Sequence, residues 1–177
     1  MLVTLGIITA LSTMVLVYSR KSETVSNLIR EGDHIAFELR RVQNQAMLVL
    51  QQDFAGDEKV CGWGIYIDKE LYEASIPQDK FLLFADLCLQ DQSVGDGKYG
   101  DGEESESVSL LNGIEISESN VSSILFIPPE PQVKFDPPNL GDETNANIKI
   151  QLKSKPGTYY EIQVSEAGQI SKELKEI

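Results

Sequence analysis

The first nineteen residues contain no charged side chain, and this run constrains the fold more than any other feature of the sequence. Leu, Val, Ile, Ala and Met dominate it. A helix needs about 17 to 20 such residues to cross the hydrocarbon core of a bilayer. We therefore predict a transmembrane segment over residues 1–19. A cleaved secretory signal is the alternative, but no basic n-region precedes the run and residues 17–21 form a poor cleavage site.

The pattern that follows the apolar run predicts that the helix continues. From Val25 to Leu50, apolar residues recur at three- and four-residue steps with charged residues between them. Gly32 is the weak point, because a glycine inside a helix costs about 1 kcal/mol relative to alanine. The pattern stops in residues 53–56. We predict a helical stem over residues 1–53, whose later part packs against the domain that follows.

Residues 57–177 predict a β-rich globular head. Runs of strand-forming residues alternate with Gly, Pro, Asp and Ser; these runs lie at 64–67, 81–84, 108–111, 114–116, 123–127, 147–153 and 159–164. The last third predicts a three-strand antiparallel meander with its first turn at residues 155–157. Residues 91–106 and 128–143 are predicted surface loops. The predicted fold class is α+β, with a long N-terminal α-helix, membrane-spanning in its first part, packed on an antiparallel β-rich C-terminal domain.

Two cysteines, Cys61 and Cys88, lie in neighbouring predicted strands. If these strands pair antiparallel with the cysteines opposite each other, Ile65 lies opposite Phe84, which is a sensible apolar pair. This register predicts a disulfide, and a disulfide indicates an exported domain. Two independent buried cysteines are the alternative.

Composition and motifs argue against nucleic-acid binding and catalysis. The formal net charge is −13, whereas a nucleic-acid surface needs clustered Lys and Arg. The sole histidine, His34, lies within the predicted helix without a nucleophile near it in sequence, so a solvated helix histidine is favoured over a general base. Trp63 and Tyr66 are predicted core or cross-strand residues rather than a ligand platform. We expect no enzyme activity and no cofactor.

One acidic, glycine-rich stretch within residues 91–104 could offer oxygen ligands to calcium. Its candidate ligands are Asp91, Asp96, Asp101 and Glu103. Their spacing does not fit a twelve-residue EF-hand loop, and Lys98 places an ammonium group among them. A solvated acidic loop is therefore the favoured interpretation, with calcium binding as the alternative.

Several segments together resemble type IV pilin-like proteins: the apolar start at residues 1–12, the helical stretch 35–46, Gly-Trp-Gly-Ile-Tyr at 62–66, Phe-Ala-Asp at 84–86 and a closing hairpin. Their order looks most like the minor pseudopilins of the type II secretion system protein H kind and their type IV pilus counterparts. The resemblance implies a long N-terminal helix laid on an antiparallel sheet. It also implies a basic leader removed by a prepilin peptidase, an N-methylated Phe and a Glu soon after it. These are absent before Met1, so we expect the true start to lie upstream.

The resulting hypothesis is a non-catalytic structural subunit, a minor pilin or pseudopilin of a type IV pilus or type II secretion filament. It would assemble with other pilin or pseudopilin subunits through its N-terminal helix, on a surface that includes Leu5, Ile8, Leu11 and Val15. The alternatives are a single-span membrane-anchored binding module that does not polymerise, and a secreted binding protein cleaved near Tyr18.

The expected location is a single-pass inner or cell membrane, with the head on the exported, periplasmic or extracellular, side. Arg20 and Lys21 flank the span on the head side. By the positive-inside rule they would favour a cytoplasmic head. A basic leader upstream of Met1 would reverse that preference.

Overall fold

The computed structural model describes residues 2–48, 58–67, 79–89, 95–100, 102–128, 132–137 and 144–176. Within the helix, the side chains of Thr4 and of residues 6–15 and 23–48 are described. The described residues form one helix and nine strands: α1 (Leu2–Leu48), β1 (Glu58–Tyr66), β2 (Lys80–Leu89), β3 (Glu104–Ser109), β4 (Ile114–Ser119), β5 (Ser123–Ile127), β6 (Gln132–Asp136), β7 (Asn145–Leu152), β8 (Lys155–Ser165) and β9 (Ile170–Glu176).

The strands form two antiparallel sheets. Sheet A has the order β3-β2-β1-β5-β6, and sheet B has the order β4-β7-β8-β9. The predicted meander is confirmed as β7-β8-β9, and alternate residues of β7 are buried because one face of sheet B meets the core. The predicted turn at residues 155–157 was wrong. The chain reverses at residues 153–154, and Pro156 and Gly157 lie inside β8, where the pairing with β7 is irregular.

Both predicted loops contain an edge strand of sheet A. Strand β6 lies within residues 128–143 and pairs with β5 along its whole length. Strand β3 begins at Glu104, inside the predicted loop 91–106, and its sequence is Glu-Ser-Glu-Ser-Val-Ser. An edge strand has one open side and is often polar or charged. Its sequence therefore lacks the apolar run by which the inner strands were recognised.

The predicted fold class, α+β with a membrane-spanning first part of the helix, was wrong. About half of the described residues lie in strands, so the chain is mostly a β-sheet domain. Among the helical residues with described side chains, no stretch is both long and apolar enough to cross a membrane. Residues 23–48 of the helix include both acidic and basic side chains.

One face of helix α1 enters a core shared by both sheets. Five of its fully buried apolar side chains are spaced three, four or seven residues apart and belong to the main core: Leu28, Ile35, Leu39, Val42 and Ala46. They pack against residues of β1 and β5 in sheet A and of β7, β8 and β9 in sheet B. The helix therefore packs on both sheets through one face, and residues such as Phe37 and Arg40 on its other side are exposed.

The opposite face of sheet A carries a second, smaller apolar cluster. It consists of Tyr66, Leu82, Phe84, Leu125 and Ile127, with Tyr99 packed against it. The Tyr99 ring stacks on Tyr66 with centroids 4.5 Å apart and meets Phe84 edge-on at 5.7 Å. Residues 95–100 therefore lie against the sheet, whereas the sequence predicted a solvated insertion.

Candidate functional site

Residues 6–15 of helix α1 form an uncharged segment whose every residue is exposed. Five large side chains form an apolar stripe: Ile7, Ile8, Leu11, Met14 and Val15, with exposed fractions from 56% (Ile7) to 74% (Met14). At 100° per residue these positions fall on one side of the helix. No described residue of the sheets covers them. A continuous apolar stripe left in water marks an interaction surface.

The other side of the same segment carries small residues. This small-residue face consists of Gly6, Thr9, Ala10 and Thr13. The Thr9 hydroxyl donates to the Gly6 carbonyl at 2.9 Å, and the Thr13 hydroxyl donates to the Thr9 carbonyl. Because both hydroxyls are satisfied within the helix, the threonines can present their methyl groups outward. Small residues also allow the backbone of a second helix to approach closely.

The predicted assembly residues Ile8, Leu11 and Val15 all lie on the apolar stripe. The side chain of Leu5, the fourth predicted residue, lies outside the described set. Ile7 and Met14 complete the stripe and were not singled out from the sequence. The signal that could have found them is the i, i+1, i+4, i+7, i+8 spacing from Ile7 onward.

Asp33 links the base of helix α1, meaning residues 28–46 that pack on the sheets, to sheet B. Its Oδ1 atom is contacted by the ammonium group of Lys172 on β9, and the Tyr160 hydroxyl of β8 donates to it at 3.3 Å. The hydrogen bond from Lys172 is the main reason that the pKa of the Asp33 carboxyl is lowered, since it stabilises the charged form. These polar contacts lie beside the apolar packing that holds the helix on sheet B.

Arg41 joins the helix to sheet A. Its guanidinium pairs with Glu38 at 3.1 Å and with Glu106 of the edge strand β3. Two residues later, the Gln43 amide donates to the Gly168 carbonyl at 3.0 Å, in the turn between β8 and β9. The helix is therefore fixed to both sheets, and the exposed segment begins from a fixed base.

His34 lies between two buried carboxylates of its own helix. Its ring nitrogens are 3.2 Å from Glu31 and 3.7 Å from Glu38, whose side chains are almost fully buried, while the His34 side chain is 40% exposed. Buried carboxylates need partners, and His34 and Arg41 supply them. The burial of both glutamates was not predicted from the sequence. At 100° per residue they fall at one edge of the helix face that meets the sheets.

The candidate calcium ligands are only partly within the described residues. Asp91 and Asp101 lie outside them. The Asp96 carboxylate accepts from the Lys98 amide at 2.9 Å, and the Glu103 carboxylate accepts from the Leu87 and Gly100 amides at 3.0 and 2.7 Å. In the part of the chain that is described, no group of three or more His, Cys, Asp or Glu side chains could hold a metal ion.

Cys61 and Cys88 form a disulfide with their Cα atoms 5.9 Å apart. The strands that carry them pair antiparallel, but the predicted register was wrong by one position, since Ile65 lies opposite Leu83 rather than Phe84. The reason is a bulge in β1 between Val60 and Gly62. Cys61 occupies the bulge, so the disulfide joins strands whose pairing shifts at that point.

Asp86 is a buried acid that the sequence did not single out. It is 0% exposed, and neither carboxylate oxygen has a hydrogen bond of good geometry to a described residue. Burial raises its pKa to about 6, and the negative charge of Glu103 adds to the effect, whereas the Gly97 amide opposes it. Its burial could have been predicted from its position in the strand. Leu82, Phe84 and Asp86 are spaced two residues apart, so their side chains lie on the same buried face of the sheet.

Trp63 and Tyr66 are core residues, as predicted. Trp63 belongs to the main core, and Tyr66 lies in the smaller cluster beneath Tyr99.

Comparison with known proteins found no match to this chain among family models, curated proteins or solved structures. The exposed segment of α1 and the contacts at its base are therefore the features from which a function can be inferred.

Proposed function

We propose that this chain is a non-catalytic structural subunit of a filament of the type IV pilin-like class, a minor pilin or pseudopilin. It assembles through residues 6–15 of helix α1 with the equivalent segments of related subunits. The observation that carries the proposal is the fully exposed, uncharged helix segment with its apolar stripe. The family assignment itself rests on the sequence resemblance described above.

Exposure of the apolar stripe to water is unfavourable. Assembly buries the stripe between subunits. Each large apolar side chain contributes about 1.5 to 3 kcal/mol when it moves from full exposure to full burial. Burial of these five side chains on one helix side therefore favours association. The small-residue face provides the complementary surface, because the stripe of one helix can pack closely over Gly6 and Ala10 of the next.

The contacts at the base of α1 support a structural role for the head. The buried face of the helix packs into the core that both sheets share, and the contacts with Lys172 and Glu106 lie at the edge of this packing. A head fixed in this way takes its position from the packing of the stems. In a filament, therefore, stem packing would set the spacing and orientation of the heads.

The Cys61–Cys88 disulfide supports an exported head. Disulfides persist in oxidising compartments and are rare in the cytosol of most cells. The proposal therefore places the head on the exported side of a membrane. Before assembly, attachment to that membrane would keep the apolar stripe away from water.

A charge on the apolar stripe tests the proposal. Leu11→Asp places a carboxylate in the centre of the stripe, and we expect it to abolish entry of the subunit into filaments in the native cells. Ser26→Asp is the matched control, because it adds the same charge at an exposed position of the same helix. Filament entry is measured by shearing filaments from the cells and blotting for the subunit. Normal entry of Leu11→Asp would contradict the proposal.

Crosslinking separates a filament subunit from an anchored binding module that does not polymerise. Both native cysteines are in the disulfide, so Val15→Cys introduces one free thiol on the apolar stripe. We expect stem-to-stem disulfides in cells after mild oxidation, either between two copies or with a neighbouring subunit that carries a cysteine at the equivalent position. Ser26→Cys serves as the control outside the stripe. Monomeric Val15→Cys under all these conditions would favour the anchored module.

A further inference from the structure

Asp86 lies on the face of sheet A that carries the smaller apolar cluster. Its side chain lies on the same side of β2 as Phe84, two residues earlier, and it is completely buried. Both carboxylate oxygens lack a well-formed hydrogen bond to the described residues. An ionised carboxylate in such a place has a high free energy, because it has lost water without gaining a full set of donors.

The buried carboxyl is sealed by a segment that we call the Tyr99 loop, residues 95–100 and 102–103. A Cβ atom added to Gly95 would lie 2.2 Å from Asp86 Oδ1, so the loop backbone lies directly on the carboxyl group. Gly97 is buried beside it, and its amide partly stabilises the charge. Position 95 therefore accommodates only glycine, because the Asp86 carboxyl group occupies the place where a Cβ atom would lie.

Two kinds of contact hold the Tyr99 loop closed. Tyr99 packs on Tyr66 and Phe84 of the sheet. Glu103 accepts hydrogen bonds from the Gly100 amide in the loop and from the Leu87 amide in β2. The loop is thus attached to the sheet on both sides of Asp86, and opening it would break these contacts together.

The charged groups that face Asp86 come from the loop and from β6. Glu103 and Asp96 are negative and raise its pKa, and Lys134 of β6 is positive and lowers it. Lys98, also in the loop, pairs with Asp136 of β6 at 3.6 Å. On β1, the residue opposite Asp86 is the uncharged Gly62. Burial and the two carboxylates dominate, and they raise the pKa of Asp86 to about 6.

We propose that Asp86 acts as a pH-dependent latch for the Tyr99 loop: the protonated carboxyl keeps the loop closed on sheet A, and ionisation of the carboxyl favours its opening. The proposal does not depend on filament assembly.

The size of the effect follows from linkage. When the loop opens, water reaches the carboxyl and its pKa returns to about 3.9. With a closed-state pKa of about 6, the open-to-closed ratio rises about tenfold between pH 5 and pH 7.5. This change in the open-to-closed ratio arises because Asp86 has a higher pKa, and so binds its proton more tightly, in the closed state than in the open state.

Opening would also change a neighbouring cavity of about 570 Å³. Residues 96–98 of the loop form one wall of this cavity, the strand β6 forms another, and Glu166 closes it from the side of sheet B. The protonation state of Asp86 therefore controls the shape of a surface cleft on the head. An exported head would experience the pH of its surroundings directly.

Hydrogen exchange of the Gly100 and Leu87 amides tests the latch, because both donate to Glu103 in the closed loop. After correction for the intrinsic exchange rate, we expect their protection factors to fall about tenfold from pH 5 to pH 7.5. Asp86→Asn mimics the neutral carboxyl and should remove this fall. Glu173→Gln, which removes an exposed carboxylate on sheet B, should retain it. Protection independent of pH in the unmodified chain, or an unchanged fall in Asp86→Asn, overturns the proposal.

A second measurement needs no substitution. The ¹³C chemical shift of the Asp86 carboxyl, followed by NMR in the unmodified chain, should titrate with a midpoint near 6. A midpoint at about 4 or below, the ordinary range of an aspartate, overturns the latch even if Asp86→Asn does not fold.

Discussion

The ring of Tyr160 lies against the backbone of helix α1 at Gly32. A Cβ atom added to Gly32 would be 2.1 Å from Cδ1 of that ring, well inside contact distance. The glycine that weakens the helix as an isolated element is therefore a position where a side chain of β8 packs directly on the helix backbone. The hydroxyl of the same tyrosine donates to Asp33, the next residue of the helix.

Gly32→Ala should destabilise the protein although alanine is the better helix former. The gain in helix propensity is about 1 kcal/mol, whereas forcing a methyl group into a packed contact costs about 1 to 3 kcal/mol. We expect the free energy of unfolding to fall by about 1 kcal/mol net. Urea denaturation followed by circular dichroism measures it.

A double-mutant cycle identifies the cause. In a Tyr160→Ala background the ring is gone, so Gly32→Ala should become stabilising. Gly6→Ala is a second control, because a Cβ at that position would meet no atom within 4 Å beyond its chain neighbours and the adjacent helix backbone. A loss at Gly32 that persists without the ring would show that Tyr160 is not responsible.

Asp86→Asn should stabilise the chain at neutral pH. The pKa of Asp86 is raised by burial to about 6 in the folded state, so the folded state binds the proton more tightly than the unfolded state does. Stability therefore falls as the pH rises from about 4 to 6 and stays low above this window. We expect Asp86→Asn to gain up to about 3 kcal/mol at pH 7.5 and almost nothing at pH 3.5. Denaturant melts at both pH values measure the difference; an equal effect at both would contradict it.

Removing the disulfide should lower stability strongly. The bond joins residues separated by 27 positions, and closing a loop of this length contributes about 3 to 4 kcal/mol in the chain-entropy model. We expect the double variant Cys61→Ala/Cys88→Ala to lose this amount in urea denaturation. Adding a reductant should destabilise the unmodified chain by a similar amount and leave the double variant unchanged. A variant as stable as the oxidised chain would contradict the expectation.

The contact between Asp33 and Lys172 should contribute little and only at low salt. The pKa of Asp33 is lowered, chiefly by the Lys172 hydrogen bond, so its stabilisation is present above the ordinary aspartate pKa and is lost as the pH falls through the folded value. Because both side chains are substantially exposed, we expect Asp33→Asn to cost about 0.2 to 1 kcal/mol at pH 7. The cost should shrink in 1 M salt, and Lys172→Ala should add nothing to it. Additive losses would show that the two residues act separately.

Strand prediction succeeded where burial leaves a periodic pattern. Strands β5, β7 and β8 combine strand-forming residues with one or two buried faces, and their runs were recognised. Strand β6 and the first half of β3 were assigned to loops because they lie at the edges of sheet A, where the apolar pattern is weaker. The second half of β3 overlaps the predicted run at 108–111. The disulfide pair was predicted, but the register around it was not, because a bulge at Cys61 leaves no clear mark in the sequence.

The sequence by itself determined the features that depend on local pattern: a helical period through residues 25–48, the meander of sheet B and the uncharged segment that becomes exposed. Only the tertiary structure decided which polar residues are buried and which residues pack against each glycine. Asp86 is buried because the Tyr99 loop folds over it, and Gly32 is needed because a strand distant in sequence places a ring there. Such contacts join residues far apart in the chain, so their free energy depends on packing that no local pattern encodes.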